Sequence, residues 1–116
     1  MESGARYLFM VSMDVDRDKE ALFNEVYDQE HVPNLLKVPG VHAARRFKAE
    51  PSCRLNIGGE EKQITHAGAS YCALYEIDGP HVLTSAAWAQ AGEAGRWPQQ
   101  VRPFTRNRHH TVFKML

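Results

Sequence analysis

The stretch that decides the fold is Glu25–Gly40, which reads EVYDQEHVPNLLKVPG. Tyr27 and His31 are four residues apart, so both side chains share one face if the stretch is helical. Pro33 has no N–H group to donate to the carbonyl of Gln29, and its ring disfavours helical angles at the preceding residue. We therefore expect the first long helix to end or kink beside His31, close to freed backbone carbonyl groups.

The position of His31 supports two interpretations. Phe23 and Leu35 continue the line of Tyr27 and His31, so the ring belongs to an apolar stripe. A histidine near a helix C-terminus is favoured in its charged form and often acts only as a cap or as the partner of a carboxylate. Histidine also titrates near neutrality, which suits acid–base chemistry in a pocket. Asp28, three residues earlier, can reach the ring on a helical surface.

Composition limits the functions open to the chain. Its 116 residues are enough for one domain, residues 1–116, with one core. The 14 Lys and Arg residues balance 14 Asp and Glu residues, so no basic excess favours a nucleic-acid partner. No apolar run has the length of a membrane helix and the N-terminus lacks a signal-peptide core, so we expect a cytoplasmic protein without a membrane partner. Cys53 and Cys72 lack a CxxC spacing and are expected to be free thiols.

The chain predicts four strands and two main helices. Apolar or alternating runs indicate strands, and capping residues with a period near 3.6 indicate helices. In chain order the elements are a strand at Arg6–Met13, a helix at Arg17–His31, strands at Val41–Lys48 and Ser70–Ile77, a helix at Ala86–Arg96 and a strand at Thr105–Leu116. Residues 49–69 are polar and contain glycines, so they are predicted to form an exposed connection between the second and third strands, and a hairpin extension is one form that it can take.

This order predicts an α+β fold. Two strand–helix–strand halves make a ferredoxin-like split βαβ sandwich, with a four-stranded antiparallel sheet and both helices on one face. The strands are apolar on both faces, and one layer of helices covers only one of them. A second copy, packed sheet to sheet, is the simplest cover for the other face, so we expect a homodimer.

Alternation along a strand separates neighbouring side chains of the same type. Arg45 and Arg46 must point to opposite faces of the second strand, so only one of them can enter a pocket. His109 and His110 diverge in the same way on the last strand. The six histidines form no HxxxH or HExxH pair, so no metal site is predicted. No glycine-rich phosphate motif occurs, so nucleotide binding has no support.

Several motifs together resemble the EthD-like family of the dimeric α+β barrel superfamily. They are YDxEHVPxLLxVPG at residues 27–40, ARRF at 44–47, YxALYE at 71–76, the Ser85-x-x-Trp88 helix start and RNR at 106–108. The resemblance implies a homodimer with a pocket between the sheet and its helices, and it implies that His31 faces that pocket. It does not imply a substrate, because one fold can support many activities.

Three functions remain open at this level. The first is an enzyme without metal or organic cofactor, of isomerase, dehydratase or monooxygenase type, in a catabolic or secondary-metabolic pathway. In it, His31 is the acid or base, Asp28 orients the ring, and the ligand contacts are Tyr27, Arg45, Trp88 and His109. The second is a non-catalytic binding or accessory protein that holds a small apolar or aromatic molecule. The third and weakest is a haem-binding protein, since one histidine can ligate haem. The favoured expectation is that no cofactor is used.

Overall fold

The computed structural model describes residues 6–116, and residues 1–5 of the predicted domain lie outside the described part. Six strands, three α-helices and two π-helical turns account for most of it. The strands are β1 (Tyr7–Val15), β2 (Val41–Lys48), β3 (Ser52–Ile57), β4 (Glu60–Thr65), β5 (Tyr71–Ile77) and β6 (Thr105–Lys114). The α-helices are α1 (Glu20–Val26), α2 (Val32–Leu36) and α3 (Ala86–Gly92), and the π turns are Tyr27–His31 and Trp97–Val101.

The main sheet has the order β2-β5-β1-β6, and every neighbouring pair is antiparallel. This arrangement confirms the predicted ferredoxin-like α+β fold. The first helix begins later than predicted, because Arg17–Lys19 forms a 3₁₀ turn and Asp16 pairs with Arg106 instead of capping the helix. The helix after Ser85 ends at Gly92, where glycine disfavours further helix.

The core lies between the main sheet and the helices. Alternate residues of β5 point into it, so Tyr71, Ala73, Tyr75 and Ile77 are buried. Phe23 and Val26 of α1 and Trp97 of the second π turn cover them and are themselves buried. Replacement of a buried phenylalanine by alanine lowers the free energy of unfolding by about 3–5 kcal/mol, so this layer contributes strongly to holding the helices on the sheet.

No helix among residues 6–116 covers the opposite face of the main sheet, which we call the open face. Residues paired across antiparallel strands point to the same side, which assigns its apolar members as Leu8, Met10, Phe47, Leu74 and Phe113. Phe47 and Phe113 are each about half exposed. These apolar side chains agree with the prediction that the strands are apolar on both faces.

Residues 49–69 leave the main sheet as the β3–β4 hairpin, a separate two-stranded antiparallel sheet. Every residue of both strands is exposed. Within residues 6–116, no helix combines the length and apolar character needed to cross a lipid bilayer.

Candidate functional site

Two wide helical turns face each other beside the sheet. The N–H of Val32 donates to the carbonyl of Tyr27, and the N–H of Arg102 donates to that of Trp97, so each turn closes over five residues. Each turn is followed two residues later by a proline, Pro33 or Pro103. A proline ring clashes with the carbonyl four residues before it, which here belongs to the π turn, and the wider turn moves that carbonyl away. The helix was predicted to end or kink beside His31; it does not end there, because the chain widens into the π turn and continues into α2.

A cavity of about 180 Å³ lies between these turns and the sheet. Its apolar lining comes from both layers: Phe9, Val11 and Met13 of β1, Leu35 of α2, Trp88 of α3 and Trp97. The rings of Phe9 and Tyr75 meet Trp88 edge to face, with centroids 5.7 and 5.5 Å away. Aromatic walls with a few polar atoms are typical of small-molecule sites.

His31 lies in this cavity with 8% of its surface exposed. Its ring stacks on Trp97 with centroids 4.3 Å apart, and Tyr27 meets it edge-on at 5.1 Å. Its Nδ1 is buried and makes no hydrogen bond within the described residues. Burial lowers the pKa of His31 to about 4, with help from the nearby Arg102 and Arg108. The ring is thus neutral at pH 7, which argues against the charged helix cap, one of the two interpretations of His31 that the sequence left open.

The hydroxyl of Tyr75 is the second buried polar atom in the cavity wall without a well-formed hydrogen bond among residues 6–116. Burial, together with the neighbouring Tyr27 hydroxyl, raises the pKa of Tyr75 well above the usual value of a phenol, so the group stays protonated and can donate a hydrogen bond. An unsatisfied buried polar group costs about 1–3 kcal/mol. The cavity wall thus holds two polar atoms, His31 Nδ1 and Tyr75 Oη, whose hydrogen bonds the described residues leave incomplete.

Positive and titratable groups line the more accessible part of the cavity. Arg102 is partly exposed and pairs with Glu93, while Arg108 and His110 are exposed residues of β6. The pairing of β6 with β1 contains a β-bulge: Ser12 pairs with His109 and Asp14 pairs with Arg106, so β6 has one extra residue between these pairs. Asn107, within the bulge, has a positive φ of 54°. A bulge changes the direction of the side chains beside it, and the neighbouring Arg108 lines the cavity. Burial and the neighbouring Arg108 lower the pKa of His110.

Three residues predicted from sequence to serve the site lie away from the cavity. The Asp28 side chain is 63% exposed and accepts a hydrogen bond of 2.7 Å from Arg46. The π turn has more residues per turn than an α-helix, so the three-residue spacing no longer brings Asp28 under His31. Arg45 pairs with Leu74 and His109 pairs with Ser12, which places both on the open face. Asp28, Arg45 and His109 are therefore corrected as site residues.

The structure also decides between the two arginines of β2. Arg46 faces the helices, where its guanidinium lies 4.4 Å from the ring centroid of Tyr27 and donates to Asn24. It also donates to Asp28, so it ties the first π turn to α1 and β2 and does not line the cavity. Of the predicted contacts, Tyr27, His31 and Trp88 do line it together.

Trp97 is held under His31 by a carboxylate on the first π turn. Glu30 accepts a hydrogen bond of 2.9 Å from the backbone N–H of Arg96, and it also pairs with the Arg96 guanidinium. These bonds lower the pKa of Glu30 and keep it ionised. Gly95 has a φ of +71°, and a Cβ there would meet the Glu30 carboxylate. Glu30 thus acts on the cavity through the position of Trp97.

Sequence reasoning missed Trp97, Tyr75, Arg102, Arg108 and His110 as site residues. A tryptophan such as Trp97 is common in cores and interfaces, and the strand alternation gave no reason to prefer Arg108 or His110. Trp97 and Pro103 have the same spacing as Tyr27 and Pro33, and this was the one available signal for a second wide turn. Within residues 6–116, no cluster of three metal-ligating side chains occurs.

Comparison with known proteins supports the fold. No model of a known protein family matches the chain, and no curated protein is significantly similar to it. Among solved structures, a mutant of MhuD with two manganese protoporphyrin IX molecules per active site is similar over 95% of this chain and 94% of its own, with a TM-score of 0.61 and 11% identity. MhuD from Mycobacterium tuberculosis, a haem degrader with two haems in its active site, has a TM-score of 0.59 and 11% identity over 95% of both chains.

An EthD-family protein from Bacillus halodurans has a TM-score of 0.59 and 10% identity, over 95% of this chain and 99% of its own. The chain therefore has the ferredoxin-like fold of the dimeric α+β barrel proteins, which include EthD-family proteins and MhuD. At these identities the likeness shows the fold alone. The expectation that no cofactor is used is contradicted by the two MhuD structures, whose active sites hold haem or manganese protoporphyrin IX.

Proposed function

We propose that the cavity binds a small, flat aromatic molecule with a polar atom at its inner end and a negative charge at its outer end. The observation that carries this proposal is the pair of buried, unpartnered atoms, His31 Nδ1 and Tyr75 Oη, in an aromatic cavity. A ligand that forms hydrogen bonds to both atoms removes the desolvation cost of each. Arg102 and Arg108 supply the positive charge at the accessible end.

The volume limits the size of the enclosed part of the ligand. An engineered apolar cavity of about 150 Å³ takes up benzene, so about 180 Å³ suits a single ring with one or two substituents. The neutral His31 can accept a hydrogen bond or a proton from such a ligand, but a pKa of about 4 makes it a poor acid–base group at neutral pH. Whether an isomerase, dehydratase or monooxygenase reaction follows binding stays a prediction.

Binding of 4-hydroxybenzoate, benzoate and phenol, compared by calorimetry, tests the proposal. Tyr75→Phe should weaken the two phenols about fivefold or more, because a buried hydrogen bond of about 1 kcal/mol is lost. Tyr71→Phe is the matched control, since the Tyr71 hydroxyl binds Glu20 and lies outside the cavity. Arg108→Gln should weaken the two carboxylates and leave phenol unchanged. Equal affinities of the parent and Tyr75→Phe for 4-hydroxybenzoate, or no binding of any of the three ligands at millimolar concentration, would refute the proposal.

Haem is a second candidate, favoured by the two MhuD structures and by the chemistry of the cavity. The unpartnered His31 nitrogen suits iron, and Arg102 and Arg108 suit two carboxylates. When bound, haem supplies one-electron and oxygen chemistry. The cavity would enclose only part of so large a ring, because its volume lies below the range of about 300–1,000 Å³ usual for larger ligands.

Haemin titration followed by absorbance decides this second candidate. A saturable Soret band that shifts in His31→Ala, but not in His109→Ala on the open face, supports haem ligation by His31. A weak band that is identical in all three proteins shows only non-specific haemin uptake and rejects the candidate.

We also propose that the chain is a homodimer formed through the open face. Leu8, Met10, Phe47, Leu74 and Phe113 place apolar side chains on this face in all four strands of the main sheet, beside polar ones such as Arg45, Glu76 and His109. Exposed apolar side chains grouped on one face are typical of an interaction surface, and the fold class is that of dimeric barrels. Light scattering at micromolar concentration should give twice the chain mass of 13.2 kDa, and a monomer would contradict the proposal.

A further inference from the structure

The two faces of the β3–β4 hairpin differ sharply in chemistry. Strand pairing puts Cys53 beside Ile64, Leu55 beside Lys62 and Ile57 beside Glu60 on one face. We call this the apolar face of the hairpin, since four of its six side chains are apolar. The other face consists of Ser52, Arg54, Asn56, Glu61, Gln63 and Thr65, and all of them are polar. Such one-sided patterning is typical of a sheet that is covered on one face only.

Nothing in the described part of the chain covers the apolar face. Leu55, Ile57 and Ile64 are 37%, 46% and 43% exposed. The hairpin is an isolated two-stranded sheet, and such a sheet is marginally stable in water unless its apolar face packs against another surface. The patterning therefore points to a partner outside this chain.

The hairpin continues the ribbon formed by β2 and β5. Pairing runs from Lys48 and Tyr71 through the bond between Ala49 N and Ser70 O, 2.8 Å, and the bond between His66 N and Pro51 O, 2.9 Å. Ala49 and Pro51 are two residues apart and both bond to the opposite strand, so β2 and β3 keep one alternation through the junction, and the opposite strand takes up two extra residues between His66 and Ser70. Phe47 and Cys72 pair on the open face, and six residues further along β2 and β3 the pair Cys53 and Ile64 belongs to the apolar face of the hairpin. Alternation thus assigns that face to the same side as the open face.

We propose that the β3–β4 hairpin is a dimerisation arm whose apolar face packs on the second copy of the chain. This inference rests on the proposed homodimer, because the copy that covers the open face lies on the side to which the apolar face belongs. Charge argues against a membrane as the occupant. Residues 50–69 carry Arg54 and Lys62 against Glu50, Glu60 and Glu61, so no positive surplus attracts anionic lipid.

The test compares two double variants of the full chain by sedimentation over a dilution series. Leu55→Ser with Ile57→Ser removes the apolar contacts, whereas Arg54→Ser with Asn56→Ser changes the polar face of the same strand. We expect the first pair to raise the dimer dissociation constant at least tenfold and the second pair to change it less than twofold. An unchanged constant for the first pair, in a chain that does dimerise, overturns the arm and leaves the dimer intact. A parent that stays monomeric overturns both.

A second measurement needs no variant and so does not depend on the folding of one. Cys53 lies on the apolar face and is an exposed free thiol in the single chain. Its alkylation by iodoacetamide, followed by peptide mapping, should slow severalfold as the protein concentration rises through the dimer dissociation constant. Alkylation of Cys53 at one rate across that range overturns the arm. Binding of benzoate in the cavity is independent of either outcome, so a failure of the arm is distinguishable from a failure of the proposed ligand site.

Discussion

Acidification should destabilise the chain through His31, because the folded protein holds this ring in its neutral form. The pKa of His31 is about 4 in the folded chain and 6.5 in an unperturbed histidine. Between these values the unfolded chain binds a proton that the folded chain does not bind. Stability therefore falls as the pH drops from about 6.5 to about 4, and the contribution of His31 is fully present only above that window.

The size of the effect follows from the same two values. They differ by about 2.5 pH units, and one unit corresponds to about 1.36 kcal/mol, so the loss is about 3 kcal/mol. His31 is 8% exposed, so solvent screening reduces this figure little. A loss of about 3 kcal/mol is a large part of the 5–15 kcal/mol usual for a domain, so it is easily measured.

Urea unfolding at fixed protein concentration, from pH 7.5 to pH 4.5, provides the assay. The free energy of unfolding of the parent should fall relative to His31→Leu, which cannot titrate. Carboxylates with lowered pKa values, such as Glu30 and Glu93, lose their contribution at lower pH in both proteins and cancel in the comparison. His109→Gln, on the open face, should keep the slope of the parent. If the free energy of unfolding changes with pH in the same way in the parent and in His31→Leu, the burial argument is refuted.

Three other perturbations test the surroundings of the cavity and the hairpin. Glu30→Gln should lower the melting temperature and weaken ligand binding more than Glu25→Gln, which meets Arg96 only at its exposed outer side. Gly95→Ala should weaken binding in the same way, since the new Cβ displaces the Glu30 carboxylate, and a calorimetric titration matching the parent would contradict this. Replacement of residues 50–69 by a short glycine turn should leave a cooperative thermal transition, because closure of a loop depends only weakly on its length; a non-cooperative melt would show that the segment belongs to the core.

The sheet was predictable because its signals are local. Periods of two and near 3.6 fixed the element order, and the order allowed few topologies. The assignment of Arg46, and not Arg45, to the helix side depended on the register between β2 and β5, which the sequence of one strand does not contain. Which side chains of β6 reach the cavity depended in addition on the bulge at Asn107, a backbone feature without a distinctive residue pattern.

The partner of His31 could not be predicted from helix geometry alone. The rule that residues three apart are neighbours holds for an α-helix, and Pro33 widens the chain into a π turn at the very residues to which the rule was applied. Pro33 was visible in the sequence, but a missing N–H group predicts an interruption without saying whether the helix ends, kinks or widens.

The surroundings of His31 show why a carboxylate partner would have defeated the arrangement. An ionised Asp28 beside the ring would favour the imidazolium and raise its pKa. The chain instead buries the ring against the flat face of Trp97 and places the guanidinium groups of Arg102 and Arg108 near it. Burial and these positive charges keep the ring neutral against the smaller opposing effect of Glu93. Glu30, the carboxylate next in sequence, is turned to Arg96, where it fixes Trp97 without touching the imidazole. The result is a neutral nitrogen that is held in place by stacking and left free to bond to a ligand.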